Sequence, residues 1–239
     1  MNALDHVLFA AICAGLPLLD WLWMYPRFVR ATAERRPGAR ERGYAITMLS
    51  SWGLMACVLA LWIALGRPLD TLRLGIGYPM RGGIGLALAA LYALLAWAQK
   101  RAVLKQPDAA ELVRRQLGKA EALMPRSARE YRLFMLVAIT AGICEEILFR
   151  GFVMWYLTVW TSAIPAALIS SVLFGLAHTY IGIPHVIRSA IVGAVLAALV
   201  LGTGSLWAAM ALHAVIDLSS GDLVYRTLGR AETSPASAG

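Results

Sequence analysis

Apolar residues fall in long unbroken runs along this chain, not at the spacing of helices that face water on one side. A membrane helix needs about 20 mostly apolar residues. Seven segments meet or approach that length: 6–25, 44–65, 82–98, 133–156, 162–178, 185–201 and 205–221. Pro26, Gly66, Pro68 and Pro79 fall near the ends of the early runs and predict breaks there. The pattern predicts an all-α fold, a polytopic membrane helix bundle of about seven transmembrane helices. No internal repeat is evident.

The polar interval 99–132 is long for a bare loop. Val103, Leu104, Leu112, Val113, Leu117, Ala120 and Leu123 recur near helical spacing among Lys and Arg. That pattern predicts an amphipathic helix on the cytoplasmic face; the plainer alternative is a solvated connector. Four regions follow: three N-terminal spans in 1–100, the amphipathic connector 101–131, a four-helix core 132–222 and a cytoplasmic tail 223–239. The small polar stretch from Ala231 to Gly239 is expected to be disordered.

Composition agrees with a bilayer. The chain is 59% hydrophobic, with a mean hydropathy of +0.66. Only 15% of its residues are charged, where a soluble domain carries about 25%. The net charge of +8 could suggest nucleic acid, but its placement argues otherwise. Of 22 Lys and Arg, six lie in 26–43 and nine in 99–132, between apolar runs. This is the positive-inside pattern of cytoplasmic loops. No nucleic-acid motif accompanies the charge, so no nucleic-acid partner is expected. Those loops place the N-terminus outside and the C-terminus, with Arg226 and Arg230, in the cytoplasm. The loop 67–81, with Arg67, Arg73 and Arg81, runs against that orientation. The cytoplasmic (inner) membrane of a bacterium is the expected location. The N-terminal run lacks a basic lead and reaches Trp21, Trp23 and Tyr25, so it reads as a retained span. Cys13, Cys57 and Cys144 lie in apolar segments without CxxC spacing and read as small buried hydrophobes.

Ionisable groups inside a membrane are costly and mark pairs, cavities or chemistry. Those that stand out are Glu145, Glu146, Arg150, His178, Arg188, His213 and Asp217, with His185 near a helix start. Residues 1–100 are read as nearly free of such groups. Glu146 and Arg150 are four apart and share a helix face, as an ion pair requires. Glu145 is turned about 100° from Glu146 and has no partner at i+3 or i+4. Its partner must be another helix or water, which suits a residue that takes a proton and returns it. Phe174 stands one turn before His178 and either packs or walls a cavity. Asp217, four residues after His213, is placed to set the tautomer of that imidazole. Arg188 reads best as a residue reaching for headgroups. One glutamate and two histidines on three helices are the parts needed to hold and deprotonate a water, with the histidines binding the water, an oxyanion or a metal. No Gly-x-Ser-x-Gly and no His-Glu-x-x-His is present.

Three motifs carry a resemblance: Glu145-Glu146-Ile-Leu-Phe-Arg150, Phe174-Gly-Leu-Ala-His178 and His213-Ala-Val-Ile-Asp217. Over roughly residues 130–221 the chain resembles the CPBP family, the type II CAAX prenyl endopeptidases and bacteriocin-processing proteins, also called the abortive-infection family. The resemblance implies an intramembrane peptidase with a conical cavity opening to the cytosol. It implies that Glu145 activates water with help from His178, His213 and Asp217, while Glu146, Arg150 and Phe174 support the site. It leaves open a zinc ion on His178, His213 and Asp217; members of the family often carry Asn where Asp217 stands. The implied substrate is a membrane-associated protein or peptide, not necessarily prenylated. The competing readings are a non-catalytic membrane scaffold or bacteriocin-immunity-type protein of the same fold, and a proton-coupled carrier.

Overall fold

The computed structural model describes residues 1–229, and every regular element among them is helical. Helix α1 spans Ala3–Ala33, α2 Ala39–Ala64 and α3 Pro79–Val103. The connector holds α4, Ala109–Leu117, followed by a 3₁₀ turn at Gly118–Leu123. Helix α5 begins as Ala128–Glu145, widens into a π-helical stretch at Glu146–Val153 and ends as Met154–Thr158. Helices α6, Ala163–Leu176, α7, Ile183–Thr203, and α8, Trp207–Val224, complete the bundle, with a π turn Tyr225–Gly229 closing α8. Helices α1, α2, α3 and α7 are long and apolar enough to cross a membrane by length and composition. A count of seven crossings would also require α5, α6 and α8. The first and last of these are interrupted by ionisable residues, and α6 is short. The expected disorder of Ala231–Gly239 lies outside the described residues.

One sequence expectation fails early. Pro26 does not end the first helix, which runs on to Ala33. An interior proline removes a hydrogen bond and crowds the carbonyl four residues back. Here the backbone widens to π geometry at Ala11–Gly15, ahead of Pro17, and at Asp20–Met24, ahead of Pro26. A wider turn accommodates the ring without breaking the rod. The expected loop 26–43 therefore shrinks to the few residues between Ala33 and Ala39.

Small residues let the helices close. A Cβ added to Gly142 of α5 would lie 2.8 Å from both Cβ and N of Ala214 on α8. One added to Gly175 of α6 would lie 2.6 Å from the Val186 carbonyl on α7. Without a hydrophobic force between helices in lipid, such close backbone approaches supply the packing that holds them. A capping box starts α5: the Ser127 side chain accepts from Glu130 N–H, while the Glu130 carboxylate reaches back to Ser127 N–H.

The two basic stretches meet at one end of the bundle. Tyr25 Oη donates to the Lys119 carbonyl at 2.8 Å, and Tyr44 Oη to the Leu123 carbonyl at 2.6 Å. Val113 of α4 packs with Val224 and Leu228. The apolar stripe of the connector helix is thus covered by the end of α8 rather than left for lipid. Asp222, just past the seventh apolar segment, joins three elements here, accepting from Lys100 of α3, Tyr131 of α5 and Arg226. At the opposite end, Arg67 grips Asp5 with two 2.7 Å hydrogen bonds.

Candidate active site

The Glu-Glu pair falls where α5 changes geometry. Glu145 is the last α-helical residue, and Glu146 opens the π-helical stretch. Such wide turns recur at functional sites. The expected ion pair is formed: Arg150 Nη1 donates to Glu146 Oε1 at 2.8 Å, and both side chains are fully buried. Glu145 has no same-helix partner, and its side chain retains 25% of its exposure.

Glu146 has a second partner. Its Oε1 also lies 2.8 Å from His213 Nδ1 on α8. That carboxylate is paired with Arg150 and acts only as an acceptor, so Nδ1 carries the proton and Nε2 points the other way. Nε2 then faces Glu145 Oε2 at 3.9 Å and Asp217 Oδ2 at 3.7 Å. Both distances are too long for a direct hydrogen bond and suit a bridging water. This corrects the expectation that Asp217 sets the tautomer of His213. On α8 the carboxylate lies one turn away and reaches only the far side of the ring. Glu146 comes in directly across the Gly142–Ala214 crossing.

Phe174 is the hub of the second motif. The Arg150 guanidinium lies 4.3 Å above its ring, and Nε and Nη2 of that guanidinium have no hydrogen-bond partner among the described residues. The ring face thus supplies the remaining contact of a buried cation. Gly193 of α7 makes the room, since a Cβ there would lie 2.9 Å from Arg150 Nη2 and 3.2 Å from the Phe174 ring. Phe174 also meets the His178 and His213 rings edge-on, at centroid distances of 4.9 and 5.8 Å. His178 Nδ1 lies 2.8 Å from the Phe174 carbonyl. A carbonyl only accepts, so Nδ1 donates and Nε2 is the ring nitrogen left for a ligand or water.

Glu145 and His178 border one cavity of about 520 Å³. Its far walls come from α1 and α2, through Ile12, Leu16, Met24, Phe28 and Leu54, and it extends to Arg27, Arg42 and Leu123 at the connector end. Asp20 of α1 lines it as well. The reading of residues 1–100 as nearly free of intramembrane charge passed over this residue. The signal was present: an aspartate inside the run Leu18-Leu19-Asp20-Trp21-Leu22 is as costly there as Glu145 is in its own helix. Arg188 is exposed and borders no part of the cavity, in keeping with a headgroup role. His185 stands 5.9 Å from His178, ring to ring.

The donors expected for a metal do not converge. Among the described residues no group of three or more His, Cys, Asp and Glu side chains is arranged to hold a metal ion. Each imidazole is held at Nδ1, His213 by Glu146 and His178 by the Phe174 carbonyl, so the two Nε2 atoms are the nitrogen donors that remain. As placed, His178, His213 and Asp217 do not form a three-donor set.

A bundle of apolar helices with carboxylates and imidazoles gathered around α5, the end of α6 and α8 defines an integral membrane protein with a polar interior site. The comparison with known families narrows the class. Residues 128–219 match the family model for Rce1-like type II CAAX prenyl endopeptidases, a protease family. That stretch contains all three motifs, and it supports the resemblance to the CPBP family. No curated protein and no solved structure matches the chain.

Proposed function

We propose that the chain is an intramembrane endopeptidase that hydrolyses a peptide bond in a membrane-associated protein or peptide. The observation that carries this reading is His213, locked by Glu146 at Nδ1 and turned with Nε2 toward Glu145 and Asp217. A water bridging Nε2 and Glu145 gives up a proton to the Glu145 carboxylate. The resulting hydroxide adds to the scissile carbonyl carbon, and the carbonyl oxygen becomes an oxyanion. In this reading His178, bordering the same cavity, accepts from the water through Nε2, and donates to the oxyanion from Nε2 only as an imidazolium, with a proton on both ring nitrogens. Collapse of the intermediate breaks the C–N bond, and Glu145 returns its proton to the leaving nitrogen. Asp217 supports His213 from the side. The basic connector end faces the cytoplasm of a bacterial inner membrane in this reading, with the N-terminus outside.

Quantitative proteomics of membrane fractions tests it. Cells carrying Glu145→Ala should accumulate at least one unprocessed membrane-associated protein that wild-type cells cleave, with the variant inserted at normal levels. Identical profiles in the two strains would sink the mechanism.

A further inference from the structure

We propose that Asp20 is a substrate-recognition residue that receives a basic side chain, lysine or arginine, of the peptide segment entering the cavity. The proposal rests on the peptidase reading above and extends it to the first helix, outside the matched stretch 128–219.

Asp20 and Glu145 border the same cavity from different helices. Asp20 makes no hydrogen bond and no ion pair among the described residues, and the imidazole with which it interacts electrostatically is His178. The fixed proton of His178, on Nδ1, already serves the Phe174 carbonyl. On α1 itself the residues lining the cavity from Ile12 to Met24 are apolar but for Asp20, and a carboxylate at that depth is costly unless something meets it. Its local backbone parallels that of Glu146, since each opens a π-helical stretch. The wide turn at Asp20 lies ahead of Pro26 and leaves the carboxylate on the cavity side of α1.

The charges along the cavity select for position. Arg27 and Arg42 border it nearer the connector. Asp20 lies seven residues before Arg27, about 10 Å deeper along the helix. A basic group is disfavoured at the arginines and favoured at the depth of Asp20, in the cavity that Glu145 also borders. A cationic side chain there would gain an ion pair in a medium of low dielectric, where such pairs are strong. Its apolar stem would lie along Leu16 and Met24.

The test separates recognition from catalysis. Full-length Glu145→Gln protein, reconstituted in liposomes, is titrated with three labelled apolar decapeptides that differ only in a central Lys, Leu or Glu. The Lys peptide should bind about tenfold tighter than the Leu peptide, a difference of about 1.4 kcal/mol. Adding Asp20→Asn should abolish that preference, and Asp20→Lys should turn it toward the Glu peptide. Equal binding of the three peptides, or a Lys preference that survives Asp20→Asn, would overturn the proposal. Cleavage by the Glu145 form is read separately, so a Lys preference without cleavage counts against the peptidase reading alone.

Discussion

His213 is held by Glu146, its Nδ1 lying 2.8 Å from Oε1 of a carboxylate that Arg150 also occupies. One oxygen thus joins the first and third motifs, and the Arg150 cation extends the set to Phe174 of the second. The adjacent glutamates differ in their surroundings. Glu146 is fully buried within its pairs, and Glu145 borders the cavity.

Glu145→Gln keeps the shape of the side chain and removes its ability to take a proton. Loss of a positioned base lowers rates by about 10²–10⁴-fold. Turnover of any peptide the wild type cleaves should fall by that factor, with KM little changed. Steady-state kinetics in liposomes would read both numbers, and near-wild-type kcat would remove Glu145 from the chemistry.

Arg150→Ala leaves the fully buried Glu146 without its cation. Breaking a buried pair from one side costs about 3–5 kcal/mol. The variant should accumulate poorly and melt early in detergent. The double variant Glu146→Gln with Arg150→Met should recover much of that stability while staying inactive, because His213 loses its charged anchor. Equal melting temperatures for the single and double variants would contradict the burial argument.

Gly193→Ala places a methyl 2.9 Å from Arg150 Nη2 and 3.2 Å from the Phe174 ring. Overpacking of this kind costs about 1–3 kcal/mol. Gly202→Ala, on the same helix, meets nothing within 4 Å and should be neutral or mildly stabilising. Thermal melts of the two variants side by side check the contrast.

Asp222 carries a pH signature outside the membrane segments. Burial opposes its ionisation, yet hydrogen bonds from Lys100, Arg226 and Tyr131 together hold its carboxyl below the ordinary value of 3.8. A lowered pKa stabilises the fold above the unfolded value, and the gain is lost as pH falls through the folded one. The melting-temperature gap between wild type and Asp222→Asn should therefore hold from pH 7 to about 5 and narrow below the ordinary aspartate range. A gap that stays constant into that acid range would show that the anchoring is not ionic.

Long apolar runs broken by basic intervals settled the membrane class, because a bilayer admits only backbone that satisfies its own hydrogen bonds. Four-residue spacing was enough for the Glu146–Arg150 pair, since both ends lie on one helix and the geometry is local. The same rule gave Asp217 as the group that sets the tautomer of His213, whereas Glu146 holds Nδ1 and Asp217 lies on the Nε2 side. Spacing along a helix says which side chains share a face, not which ring nitrogen turns toward which neighbour. The course of α1 through Pro26 was also invisible to a rule that treats proline as a break, because π widening is a backbone response that no single residue announces. The link from His213 to Glu146 depends on how closely α5 and α8 approach at Gly142 and Ala214. The cavity of Glu145, His178 and Asp20 depends on α1 and α2 standing against the C-terminal helices. Those relations join residues far apart in the chain through packing, and only the tertiary structure decided them.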